Sequence, residues 1–362
     1  MVTYTYAVCF SIILIKCVHG QTLSWTQIID PNGGSLPEIR NVAGATYYND
    51  YMIIFGGAGN SGKLNDAWKL NLKTKAWELI TTSGTKPSQR QCPAAVQYND
   101  EFVIVGGQIH GGQNLNTAFK LNLQTNKWNQ LSASNAPNPR CFHTAVLYKD
   151  DLILYGGTDN SGGKGFLGDL WKLNLKQPTA WEEISISGIK PAARGYHTAV
   201  IHNDDMIVFG GQHSTANGNI FSSEVWSLNL KTNIWTLRTT TGTVPHGLQG
   251  TRATIYGDLM ILFGGRPWPT SGSHSDEVVT FNLNTNEFTK MTTTTPPERR
   301  LQHSSVIYGN KMIIFGGFSD GGGSDHRKND AWELDLLPLA PTPVINVRGK
   351  ICCDEYGCSA CQ

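Results

Sequence analysis

The sequence predicts an all-β fold in which one four-stranded unit is repeated six times and closed into a ring. Three observations predict it. No stretch shows the sustained periodicity of a long amphipathic helix, while 39 glycines and 10 tryptophans in 362 residues point to tight turns and large packing residues. An apolar run ending in Gly-Gly recurs at Gly56-Gly57, Gly106-Gly107, Gly156-Gly157, Gly210-Gly211, Gly264-Gly265 and Gly316-Gly317, at intervals of 50, 50, 54, 54 and 52 residues. Each interval has room for four short apolar runs separated by turn-forming clusters, which reads as four antiparallel strands.

Residues 140–184 display the unit most clearly: R-C-F-H-T-A-V-L-Y, then D-L-I-L-Y-G-G, a glycine-rich loop, D-L-W-K-L-N-L and A-W-E-E-I. We letter these strands A to D. Strand B is apolar throughout, which suits burial on both faces, and the glycines at its end permit positive φ or a close backbone approach. Strand C carries a large residue at Trp68, Phe119, Trp171, Trp226, Val279 and Trp332, and strand D opens on Trp77, Trp128, Trp181, Trp235 and Phe288. The sixth unit lacks its strand D, because the chain turns to proline at Pro338, Pro341 and Pro343. The missing strand stands at the front, in residues 22–29, where L-S-W-T-Q-I has the strand D pattern. Pairing it into the sixth unit closes the ring and removes a bare edge.

Paired glycines after apolar runs, followed by spaced aromatics, resemble the kelch repeat, and the resemblance covers residues 22 to about 337. It implies a six-bladed kelch β-propeller with four antiparallel strands per blade, akin to the central domain of galactose oxidase-like proteins and of a secreted type. It also implies a rigid disc that binds proteins or other ligands through one face, without saying which.

The ends read differently. Residues 1–20 are read as a signal peptide: residues 7–15 are apolar but too short to span a bilayer, and cleavage is expected before Gln21. Residues 21–338 form the propeller, and residues 339–362 a proline-rich linker with a cysteine-rich tail. Cys352, Cys353, Cys358 and Cys361 suggest two local disulfides, with a zinc site or an intermolecular bridge as alternatives. Cys92 and Cys141 open strand A in adjacent blades and are either bridged across the channel rim or separate buried thiols. Without Lys16, 28 basic residues face 28 acidic ones and no basic run occurs, which gives no support for nucleic acid as a partner. No other stretch approaches the roughly 18–20 apolar residues of a membrane span.

Function is expected on the face bearing the B–C loops and D–A connections, because variable loops on a repeated scaffold are where individuality lies. Trp268 falls outside the repeat frame, between Pro267 and Pro269, and is either an exposed anchor or an indole folded over the channel mouth. Arg266, Phe166, Phe221 and Phe318 accompany it on these loops. Arg40, Arg90, Arg140, Arg194 and Arg300 each precede a matched strand A residue by eight positions, with Leu248 in blade five. They suit either a cationic ring for a carboxylate or sulfate, or a tie between blades; five acids, Asp66, Asp169, Glu224, Glu277 and Asp330, recur beside strand C as partners. His143, His197 and His303 suit core hydrogen bonding better than a metal site. No cofactor is expected. The reading is a secreted, non-enzymatic binding or adaptor protein for an extracellular protein or glycan. The alternative is an extracellular enzyme on the same scaffold, resembling a sugar mutarotase or galactose oxidase.

Overall fold

The computed structural model describes residues 20–30, 33–159, 165–269, 273–320, 326–340, 351–354 and 357–360, the last two segments as backbone. Residues 1–19, and with them the expected signal peptide, lie outside the described residues.

The six units are six antiparallel sheets, each ordered A-B-C-D from the axis outward. The A strands are Gly44–Tyr48, Ala94–Tyr98, Thr144–Tyr148, Thr198–His202, Arg252–Tyr256 and Ser304–Tyr308. Each pairs with its B strand in the same register, from Gly44 opposite Phe55 to Ser304 opposite Phe315. Each A strand also lies beside the A strands of both neighbouring blades, the sixth beside the first. The front strand, Thr22–Ile28, pairs antiparallel with Ala331–Asp335 and so supplies strand D of blade six, as the sequence predicts. Its other edge pairs in parallel with Thr292–Thr294, arriving from blade five.

The core lies between blades rather than within them. In five of the six blades the strand D aromatic reaches a strand B aromatic of the preceding blade: Trp77 against Phe315, Trp128 against Phe55, Trp235 against Tyr155, Phe288 against Phe209, and Trp25 against Phe263, at 4.7–5.7 Å between centroids. Truncating one such buried aromatic costs about 3–5 kcal/mol. On the face opposite the B–C loops, the residue ending strand A in blades one to four bonds to an aspartate in the next blade's A–B turn. Tyr48 donates to Asp100, Tyr98 to Asp150 and Tyr148 to Asp204, while His202 meets Asp258. These links hold the disc on that side.

The Gly-Gly pair has a steric cause. Gly56 and Gly57 have φ of 64° and 104°, and a Cβ on Gly56 would sit 2.7 Å from the Arg90 carbonyl oxygen of the next blade. Only glycine allows this approach, which lets the Gly57 amide donate to that carbonyl at 2.9 Å. Past Leu337–Leu339, a short 3-10 turn, the described tail is a backbone hairpin of Ile351–Asp354 and Gly357–Ala360, with Cys353 opposite Cys358. The side chains of the four tail cysteines lie outside the described residues.

Candidate functional site: the channel mouth and the loop face

The arginines at the head of strand A do not form a ring open to ligand. Arg40, Arg90, Arg140, Arg194 and Arg300 are at most 1% exposed. In each, Nη1 donates to the carbonyl of the first glycine of its own blade's pair, at 2.9–3.0 Å. Nε donates to the carbonyl two residues back. The rest of the guanidinium grips a strand C carboxylate: Arg40 on Asp66, Arg140 on Asp169 and Arg300 on Asp330 through two bonds each, and Arg194 on Glu224 through one. That carboxylate also accepts the indole N–H of Trp68, Trp171, Trp226 or Trp332. The expected ligand cations are therefore intrablade clamps, satisfied by their own sheet. The tie between blades runs through the backbone of the same residue: the Arg40 amide donates to Lys328 O and the Arg90 amide to Leu64 O, both in the preceding blade.

The five acids do not match the five arginines one for one: the two sets share blades one, three, four and six and part in blades two and five. In blade two Arg90 has no carboxylate partner among the described residues; it bonds to Thr117 Oγ1 and Ser88 Oγ and lies 5.1 Å from the Phe119 ring. In blade five Leu248 stands in the arginine position, and Glu277 pairs with the exposed Lys290 instead. Four clamps are complete.

Burial opposes ionisation of Asp66, Asp169, Asp330 and Glu224, but the hydrogen bonds and charge of their arginines outweigh it and hold each pKa below its ordinary value. Arg90, buried without a counter-charge, is pulled down to about 10.

Two residues beyond each arginine position, the chain turns through left-handed backbone at the channel rim. Val42, Cys92, Phe142, Tyr196, Gly250 and Gln302 have φ between 48° and 70°, although one alone is glycine. Strain of this kind persists where the surroundings fix it. Here the rim is linked head to tail: Val42 N donates to Gln302 O, Gln302 N to Gly250 O, Gly250 N to Tyr196 O, Tyr196 N to Phe142 O, and Cys92 N to Val42 O. At the junction of blades two and three, Cys92 and Cys141 are joined as a disulfide, with Cα atoms 5.7 Å apart. Of the two readings open for this pair, the bridge is the one found. Phe142 and Tyr196 stack at 3.8 Å on the rim.

The histidines do not converge. Each fills the hole left by the first glycine of the preceding blade's pair: a Cβ on Gly106, Gly156 or Gly264 would lie 2.6, 3.0 or 3.2 Å from the Cε1 of His143, His197 or His303. Burial drives His143 down to about 3 and the other two well below their ordinary value, so all three are neutral.

On the loop face, blades four and five build a platform. A hairpin of Gln212–Thr215 and Gly218–Phe221 pairs with Arg194–Gly195. Beside it, Arg266–Trp268 pairs with Gly247–Gln249. Gly247 is required, since a Cβ there would lie 1.9 Å from Phe221 O. Trp268 is 43% exposed and its ring leans on Phe221 at 5.4 Å, so the indole is an anchored, open surface rather than a plug in the channel. Arg266 is exposed beside it. Phe318 is half-buried between the rings of His274 and His326, and His274 pairs with Asp320. Phe166, half-buried in blade three opposite Thr158, is not in this group.

The sequence model described as the KLHDC2/KLHL20/DRC7 Kelch-repeats domain matches residues 12–157, 93–294 and 203–362. The chain belongs to this kelch-repeat family. Among curated relatives, human "Host cell factor 2" is 26% identical over 89% of this chain and 45% of its own length. The Drosophila melanogaster "Leucine-zipper-like transcriptional regulator 1 homolog" is 26% identical over 86% of this chain and 32% of its own. The kelch chain thus spans less than half the length of these relatives. The solved structure of YjhT aligns with a TM-score of 0.65 over 90% of this chain and 98% of that one, at 17% identity, a likeness of fold alone. No helix among the described residues is long and apolar enough to cross a membrane.

Proposed function

We propose that this kelch chain is a secreted binding module that engages a protein or carbohydrate ligand through its loop face, centred on Trp268, Phe221 and Arg266. The observation that carries the reading is the placement of Trp268. It is a large, half-open aromatic outside the repeat pattern, held on a paired strand and backed by a second aromatic, which is the form of a binding anchor for a sugar ring or an apolar side chain. By contrast the recurring arginines, acids and strand C tryptophans are occupied within their own blades, and the histidines are packed against the glycines of the preceding blade. The Cys92–Cys141 bridge supports an oxidising compartment, in keeping with the apolar leader read in residues 1–20.

The test is Trp268→Ala, screened with the parent chain against arrayed glycans and cell-surface proteins. The variant should lose binding by about tenfold or more while its unfolding free energy stays within about 0.5 kcal/mol. Undiminished binding to a ligand of the parent chain would overturn the anchor role. Secretion is checked separately, by N-terminal sequencing of the exported chain, which should begin at Gln21.

A further inference from the structure

The channel contains a cation that the repeat does not explain. Arg252 opens strand A of blade five, opposite Phe263 in the hairpin register. The five matched positions hold Gly44, Ala94, Thr144, Thr198 and Ser304, all small. These residues and their neighbours Ala45, Ala95, Ala145, Ala199, Ala253 and Ser305 line a cavity of about 150 Å3 along the axis, together with the rim. No aspartate, glutamate or lysine is among the lining residues, and His143 and His197, which are, are neutral. Among the described lining residues, Arg252 is the charged one.

Its bonding is incomplete. Nε donates to the His303 carbonyl at 3.0 Å. Among the described residues no carboxylate lies within ion-pair distance of the guanidinium, although every other strand-head arginine except Arg90 has one. Burial lowers Arg252 to about 10, which leaves it charged at neutral pH. Arg252 is half-buried, and its guanidinium faces the channel with Nη donors that no described protein group meets and no counter-charge beside them, which is the bonding an anion in the channel would complete. Further donors face the same cavity. Thr198 Oγ1 accepts the Ala253 amide and retains its own proton, and Gln302 spends its carbonyl oxygen on Asn41, which frees its amide N–H groups. Blade five is also the blade without the clamp arginine, so its guanidinium stands four residues further along, facing the axis.

We propose that the central channel is a binding site for a small monovalent anion of the chloride class, held by Arg252 with the Thr198 hydroxyl and the Gln302 amide. The anion neutralises the one charge at the centre of six packed strands, and its binding stabilises the ring. A cavity this size holds such an ion with several waters. The site is separate from the Trp268 platform, and neither depends on the other.

The experiment uses the full-length secreted chain, exchanged into sodium gluconate and titrated with sodium chloride at constant ionic strength. Melting temperature should rise saturably by about 3 °C or more. Arg252→Met, which keeps the stem and removes the charge, should melt independently of chloride. Bromide in place of chloride should give an anomalous scattering peak beside the Arg252 guanidinium in crystals, a readout available even if the variant fails to fold. A melting temperature that ignores the anion in the parent chain, or a crystal without the bromide peak at Arg252, overturns the proposal. Equal chloride dependence in parent and variant moves the effect to the surface and overturns it too.

Discussion

Blades one, three, four and six carry the complete arginine–carboxylate–indole clamp, whereas blades two and five each lack a part of it. Blade two keeps the arginine and has Thr117 for the acid and Phe119 for the tryptophan. Blade five keeps the acid and has Leu248 for the arginine and Val279 for the tryptophan. Fold and register are unchanged in both, so no single clamp is needed to form a blade. What changes is the availability of charge: Glu277 turns outward to Lys290, and a guanidinium appears instead at Arg252 on the axis. The residues that repeat hold the disc, and where the pattern lapses side chains become free for other use.

The strongest test of that contrast removes the acid from a clamped blade and from blade five. Asp169→Ala strips Arg140 of two hydrogen bonds and Trp171 of its acceptor, leaving a buried guanidinium without its charge partner. Breaking a buried pair from one side costs about 3–5 kcal/mol. Glu277→Ala removes half of an exposed pair and should cost less than about 1 kcal/mol. Denaturant midpoints of the two variants measure the difference, and equal losses would dissolve the distinction between blades.

Acid should weaken the molecule in two stages. The pKa values of His143, His197 and His303 are lowered on folding, so between their unfolded value near 6.5 and their folded values the unfolded chain binds more protons, and stability falls as pH falls. Each buried imidazole contributes a slope of about 1.4 kcal/mol per pH unit in that window. The clamp carboxylates are likewise lowered, and their contribution, present above about pH 4, disappears as pH drops through the folded values. Urea unfolding at pH 7, 6 and 5 should therefore show a steady loss before any carboxylate protonates. A flat profile over that range would mean the imidazoles are protonated in the folded state.

Much of this was legible in the sequence because a repeat multiplies weak signals. Six Gly-Gly pairs, and the displaced L-S-W-T-Q-I strand, specify blades and closure through spacing alone. The direction of a side chain at a strand head is not encoded that way. Arg40 and its relatives share a spacing consistent with the channel mouth, yet their guanidiniums turn back to the glycine carbonyls of their own sheet. Cys92 and Cys141 stand at unequal offsets from their arginines, and the left-handed backbone at Cys92, with φ of 48°, belongs to a rim the sequence does not announce. Arg252 was missed because blade five reads as a blade that had lost its arginine. The available signal was a large cation at a position occupied elsewhere by Gly, Ala, Thr, Thr and Ser. The contact between Phe221 and Trp268 joins loops 47 residues apart and depends on Gly247, so no local pattern carries it.

The smallest expected effect is the most discriminating, because it adds an interaction rather than removing one. Thr117 occupies in blade two the place of Asp66 and Asp169, two residues ahead of the large strand C side chain, and already accepts from Arg90 at 3.2 Å. Thr117→Asp should give Arg90 the carboxylate it lacks. The gain is the charge-assisted bond less the cost of burying the new anion, a net of about 1 kcal/mol. Phe119→Trp added to it should gain slightly more, by returning the indole donor that the carboxylate meets in the clamped blades, provided the larger ring fits beside Arg90. If the clamp is a self-contained unit, the pair of substitutions raises the denaturant midpoint beyond Thr117→Asp alone. If Thr117→Asp instead destabilises, blade two has adapted its packing to an unpaired arginine, and the clamp cannot be moved between blades as a module.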